Sequence, residues 1–285
     1  MANQLIDRGN WQSLRDAQSY LEKAIVLDPE FVQAHVSLAR TYFDLHETGA
    51  MILQEASTPW HQSIQTALSL NPEHAGAIAM QALYLWRHNM EGAEQAFEKA
   101  RQIEPYNVEI MTMYALYLRK NFQFDRALPL LEMARELDPV SVEVLFGMAR
   151  IRLARWEMDK ALEMFARIRQ VDPSSVNGFG YVSAIHMKTG DLVKGSEWLF
   201  KAMAADPEDS DISHFVVMMY LSLGDLDSAR RWLLWIKHNQ NSNPMFFSNM
   251  AMLNINEGRP DLAIEYARAA IDTQVGDRHG SDAVI

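Results

Sequence analysis

Small and apolar residues recur along this chain at helical spacing, and they recur in blocks. Between Ala127 and Pro139, Ala127, Leu131 and Ala134 fall on one face of a helix. Pro139 ends that helix, because it has no N–H to donate and forces Asp138 out of the α region. The same block then reappears. Pro105, Pro139, Pro173 and Pro207 are 34 residues apart, Pro72 lies 33 before Pro105, and the later four each follow an acid, Glu104, Asp138, Asp172 or Asp206. A fixed period of this length predicts an array of helix–turn–helix units, each stacked on the next.

Each unit reads as a helix A followed by a helix B. Tyr114 and Ala115 face inward on the A helix before the block just described. Later units repeat the pattern with Met148 and Ala149, then Ala161, Phe165 and Ile168, and with Val182 and Ser183, then Gly195, Leu199 and Ala202. Tyr220, Ala229, Leu233 and Ile236 follow, and finally Met250, Ala251, Ala263, Ala267 and Ala270. Gly190, Gly224 and Gly258 keep the same 34-residue period. Glycine just past a helix end takes the left-handed conformation that other residues resist. Asp191 and Asp225 follow at once and suit the next helix start.

These marks divide residues 1–271 into about eight repeats. The first is truncated, with only Asn3 to Arg8 left for its opening helix. The second is long: 43 residues separate Pro29 from Pro72, and the surplus falls near 46–59, as a longer loop or an extra helical turn. The tail 272–285 lacks periodicity and is expected to be disordered.

The inward positions resemble the tetratricopeptide repeat, whose pattern runs through a Leu, a small residue and Tyr on helix A, then Ala, an aromatic or Leu, Ala and Pro. Arg152 and His186 depart from the Tyr, and Gly195 departs from an Ala, at an expected cost in local packing. The resemblance implies an all-α fold: a right-handed superhelical solenoid of antiparallel helix pairs, with the A helices lining a concave groove. The opening repeats also look like the repeat regions of bacterial winged-helix regulators or adenylate cyclases. That likeness, and the truncated start, suggest a fragment of a larger bacterial regulatory or assembly protein.

Helical periodicity selects the side chains expected to face the groove. In the later repeats these are Phe146, Arg150, Leu153, Met187, His214, Met218, Leu221, Met252 and Ile255. A water-filled groove with no ligand would be polar, whereas this one is rich in methionine and apolar residues. Flexible thioethers suit varied apolar partners, so the expected guest is a protein or peptide with an apolar or amphipathic segment. The competing reading is that these residues pack on neighbouring A helices. The family's Lys/Asn clamp for a terminal carboxylate is not supported, because Val36, Arg40, Thr112, Phe146 and Gly180 hold its positions. Arg150, Arg152 and Arg155, with Arg167 and Arg169 on the next helix, read either as a salt-bridged surface or as a contact for an acidic segment. Trp198, Trp232 and Trp235 lie on B helices, either packed against the next repeat or forming an aromatic stripe.

Composition narrows the chemistry. The net charge of −11 argues against a surface that tracks nucleic-acid phosphates. There is no cysteine, which excludes disulfides, thiolate metal sites and thiol nucleophiles and fixes no compartment, cytoplasm and bacterial periplasm both fitting. The nine histidines show no metal-ligand spacing, and phosphate-loop and nucleophile-elbow motifs are missing. Neither a catalytic residue, a cofactor site, a metal site nor a membrane-inserting segment is expected. The sequence therefore points to an interaction scaffold. The alternative is a self-assembly module that pairs copies through the apolar groove or exposed repeat ends.

Overall fold

The computed structural model describes residues 2–8, 11–48, 50–205, 210–239 and 245–273. Among the described residues there are sixteen α-helices and no strand. They follow as pairs: α1 (Ala2–Arg8) and α2 (Trp11–Leu27), α3 (Val32–Glu47) and α4 (Leu53–Leu70), α5 (Ala75–Arg87) and α6 (Ala93–Ile103), α7 (Val108–Lys120) and α8 (Phe124–Leu137). The series continues with α9 (Val142–Ala154) and α10 (Met158–Val171), α11 (Val176–Lys188) and α12 (Leu192–Ala205), α13 (Ser210–Ser222) and α14 (Leu226–Asn239), α15 (Met245–Asn256) and α16 (Pro260–Thr273). Odd-numbered helices are the A helices and even-numbered ones the B helices. The chain forms two compact units, one of residues up to 117 and one from 118 to 272, so the division falls within α7. The turn at Pro207 and the segment 274–285, most of the tail expected to be disordered, lie outside the described residues.

Two turn chemistries repeat with the period. At the B-to-A turns, the residue before proline closes the turn with its own side chain. Oδ1 of Asp28, Asn71, Asp138 and Asp172 accepts the backbone N–H two residues on, at 3.1, 3.1, 3.2 and 2.9 Å. This is why a short acid or amide precedes each of those prolines. The next A helix is then capped by His74, Asn107, Ser141 or Ser175, whose side chain accepts the N–H three residues later.

At six A-to-B turns the residue just past the A helix is left-handed: Asn89, Phe122, Trp156, Gly190, Gly224 and Gly258, with Gly92 a second left-handed residue in the first of these turns. In each, the following N–H reaches back to the last turn of the A helix, as in Gln123 to the Leu118 carbonyl at 2.8 Å and Arg259 to Asn254 at 2.8 Å. The left-handed residue itself donates to the next carbonyl along, as Trp156 does to Leu153 at 2.9 Å. This paired closure of a helix end is the reason a positive φ is required. Sequence inspection finds only the three glycines. The other three copies hold Asn, Phe and Trp in a conformation that costs a bulky residue about 1–2 kcal/mol.

The long second repeat spends its surplus on helix. Helices α3 and α4 have 16 and 18 residues, against 13 and 14 in α9 and α10. Trp60 stands where the following B helices place Ala93 and Ala127, and it is fully buried between Phe43 and Tyr84, with ring centres 5.5 and 5.3 Å away. The core elsewhere follows the repeat. Ala127, Leu131 and Ala134 are buried on α8, and Ala161, Phe165 and Ile168 on α10 join Leu145, Ala149, Val182 and Ile185 in one cluster.

Gly195 is no packing defect. A methyl there would stand 2.5 Å from Met187 Cγ and 3.2 Å from the Met187 nitrogen and the Ser183 carbonyl. The buried Ser183 hydroxyl donates to the Gly195 carbonyl at 2.6 Å. Helices α11 and α12 approach so closely that alanine does not fit.

Candidate partner-binding surface

The A-helix faces differ between the two units. In the first unit, Val36, Phe43, Ala79 and Leu83 are buried. Arg40 on α3 reaches over α5 to Glu109 on α7, with Nη1 2.7 Å from Oε1. Side chains two repeats apart thus meet, and this stretch of the inner face is closed by packing and an ion pair.

In the second unit, the nine expected groove residues separate into two groups. Leu153 and Met187 are each only 6% exposed, and both belong to packed clusters. They are core residues, because the next A helix covers the register position they share. Gly180 makes that cover possible: a Cβ there would fall 2.1 Å from the Phe215 ring of α13. Phe146 is half-buried against Phe165 and Tyr181, with ring centres 6.2 and 5.2 Å away, and Arg150 lies 5.7 Å over it. For Leu153 and Met187 the competing reading, packing on neighbouring helices, is the correct one.

The other group stays accessible. Met218, Leu221 and Met252 are half-buried, and Ile255 is 64% exposed. Met218 and Met252 are one repeat apart, as are Leu221 and Ile255, so α13 and α15 present one apolar rectangle across two neighbouring A helices. His214 fixes the spacing of those helices. Its Nδ1 lies 2.8 Å from Oδ1 of Asn249, which is almost fully buried, and this hydrogen bond ties α13 to α15 across the seam. Sequence reading places His214 in the groove and misses Asn249. A buried asparagine opposite a histidine exactly 35 residues earlier leaves no periodic trace, since it pairs positions one step off the repeat.

The basic residues are mostly neutralised. Arg152 pairs with Glu157 at 2.6 Å and Glu132 at 3.8 Å, and Arg155 pairs with Asp125. Lys160 and then Arg152 hold the Glu157 carboxyl below its ordinary pKa. Trp232 stacks on Trp235 with ring centres 5.1 Å apart, and Trp235 remains exposed, so packing and stripe readings each describe one of the pair. No cluster of three or more potential metal ligands occurs among the described residues, and no described helix is long and apolar enough to cross a membrane.

Stacked helix pairs with this period, these caps and these turn closures define a helical-repeat solenoid of the tetratricopeptide kind. Residues 118–177 match the family model of the tetratricopeptide repeat. Solved structures with the same fold include human IFIT1, solved as a dimer with PPP-AAAA, at 18% identity and a TM-score of 0.61, covering 92% of this chain and 69% of that one. Yeast Tom70 is similar at 16% identity and a TM-score of 0.57, over 92% of this chain and 55% of that one. Pseudomonas aeruginosa PilF is similar at 17% identity and a TM-score of 0.53, over 73% of this chain and 90% of that one. Likeness at these identities shows the fold alone. The comparison with curated proteins gives no match.

Proposed function

We propose that this chain is a non-catalytic scaffold that holds an apolar or amphipathic segment of a partner protein against the A helices α13 and α15. The observation that carries this reading is the apolar rectangle of Met218, Leu221, Met252 and Ile255, accessible although Leu153 and Met187, the equivalents of Leu221 in the two preceding repeats, are buried. Two helices set side by side offer a shallow channel to an amphipathic helix, and thioethers adapt to its side chains. A library of amphipathic helical peptides panned on the chain tests the idea. Binders that survive Met218→Lys with Met252→Lys, in protein of unchanged helicity, would remove this surface from the function.

The exposure of Ile255 also supports a second reading, in which two copies pair through α15. Light scattering over a roughly hundredfold range of concentration separates the readings. Mass that rises with concentration and is reset by Ile255→Glu favours pairing, and a constant monomer mass excludes it.

A further inference from the structure

Arg169 of α10 and Lys201 of α12 are treated differently from Arg152 of α9. Arg169 on α10 has no carboxylate among the described residues. Its Nη1 donates to the Gly178 carbonyl at 3.0 Å, and its guanidinium lies 4.6 Å from the centre of the Trp198 ring on α12. Lys201 brings Nζ to 3.9 Å from the centre of the same ring. Glu197 lies one turn before Lys201 on the exposed side of α12, yet Lys201 turns to the indole and forms no ion pair with it. Burial pulls the Arg169 guanidinium below its ordinary pKa, with no counter-charge to oppose it.

Two cations therefore converge on one indole in a chain whose net charge is −11. A carboxylate is the natural counter-ion for cations that have none, and a guanidinium edge is shaped to hold one through two N–H donors. Apolar side chains are also exposed on this helix and on the next B helix. Phe200, next to Lys201, is exposed, and one repeat later Leu234 and Trp235 are exposed at the positions equivalent to Phe200 and Lys201. Arginine and tryptophan with exposed apolar neighbours are the composition that dominates binding at protein interfaces.

We propose that this B-helix face binds an acidic, aromatic-bearing segment of a partner protein, with a partner carboxylate pairing with Lys201 beside Trp198. The site is carried by B helices and does not depend on the A-helix rectangle. A single-stranded nucleic acid is the poorer fit. Stacking on Trp198 and one phosphate contact could be made, but tracking a backbone needs a run of cations, and Arg152, Arg155 and Lys160 nearby are already paired.

The test is selection of a random 12-residue peptide library, displayed on phage, against the full chain. Enriched peptides are expected to combine Asp or Glu with an aromatic residue. Synthetic copies should lose about tenfold or more in affinity for Lys201→Glu and keep it for Lys201→Arg, as expected for a lost charge partner. Lys201 is exposed, so its substitution spares the fold. Arg169→Gln, which also removes the tie to Gly178, serves as a second variant once its helicity matches wild type. Three results overturn the proposal: an enriched pool with no excess of acids, acidic binders indifferent to Lys201→Glu, or acidic binders abolished only by Met218→Lys with Met252→Lys. Tighter binding of a fluorescein-labelled oligoadenylate than of any selected peptide, lost in Lys201→Glu, overturns it in favour of nucleic acid.

Discussion

Gly195 lies inside α12 at a position where the tetratricopeptide pattern has alanine, so Gly195→Ala looks like a stabilising change. Helix propensity alone favours it by about 0.8–1.0 kcal/mol. The structure predicts the opposite sign. The nearest atom to the new methyl would be Met187 Cγ at 2.5 Å, and Met187 is itself buried in a packed cluster, so it has no open rotamer to swing into. The Met187 nitrogen and the Ser183 carbonyl, both 3.2 Å away, belong to the backbone of α11. Relief therefore requires the two helices to part. Parting them stretches the buried 2.6 Å bond from Ser183 to the Gly195 carbonyl, a bond worth about 0.5–1.5 kcal/mol net. Over-packing of this kind costs about 1–3 kcal/mol. After the propensity gain is subtracted, Gly195→Ala should destabilise the chain by roughly 1–3 kcal/mol. Urea titration followed by far-ultraviolet circular dichroism measures it as a lower midpoint. The same substitution in a Met187→Ala background identifies the cause, because Cγ is gone there and the loss should shrink or reverse. A midpoint equal to or above wild type, or an equal loss in both backgrounds, would refute the steric account.

The turn chemistry yields three further expectations. Phe122 is left-handed at φ 59° and 53% exposed, so Phe122→Gly should raise the unfolding free energy from urea titration by about 0.5–1 kcal/mol, the strain relieved less the entropy of a more flexible unfolded chain. Gly224 has φ 71° and open space around it, so Gly224→Val should cost about 1–2 kcal/mol through backbone strain alone. Ser141→Ala removes the cap on Val144 and should cost about 1 kcal/mol in the same assay. Acid sensitivity follows from the B-helix caps. The backbone N–H of Lys194 chiefly lowers the Asp191 pKa, and the Ser228 side chain chiefly lowers that of Asp225. A carboxyl with a folded pKa below its unfolded one gives stability that is fully present above about pH 4 and is lost as pH falls through the folded value. Melting temperatures from pH 5 down to pH 2 should fall, and Asp191→Asn with Asp225→Asn should flatten that fall.

The repeat was legible because its determinants are local and strongly patterned. Proline, an inward alanine and a left-handed glycine each act over a few residues, and each recurs at one spacing. What escaped inspection was of two kinds. Some positions obey the period geometrically while breaking it chemically, as Phe122 and Trp156 do by taking the conformation that Gly190 takes. Others depend on how closely neighbouring helices approach, which no single helix encodes. Gly195 looked like a departure from pattern until the distance to Met187 was known. Leu153 and Met187 were placed in the groove for the same reason. Helical periodicity says which way Leu153 and Met187 point and says nothing of whether the following helix lies over them.

That last point explains why the candidate surfaces occur where they do. Leu153, Met187, Leu221 and Ile255 occupy one register position in four successive repeats, and their exposure runs from 6% and 6% through half-buried to 64%. The residues are chemically alike, so the trend reflects cover alone. Helix α13 roofs α11, and that roof depends on the close approach that Gly180 allows beneath Phe215. The equivalent of Gly180 in α13 is His214, too large for such an approach, and it meets α15 through a hydrogen bond to Asn249 instead. A polar spacer between α13 and α15 holds the two helices in register without closing the apolar face beside it. The B-helix face has a different origin. There the outward positions are never roofed by a neighbour, so only residue choice decides their character, and Trp198, Phe200 and Lys201 on α12 are choices that a purely structural B helix does not require.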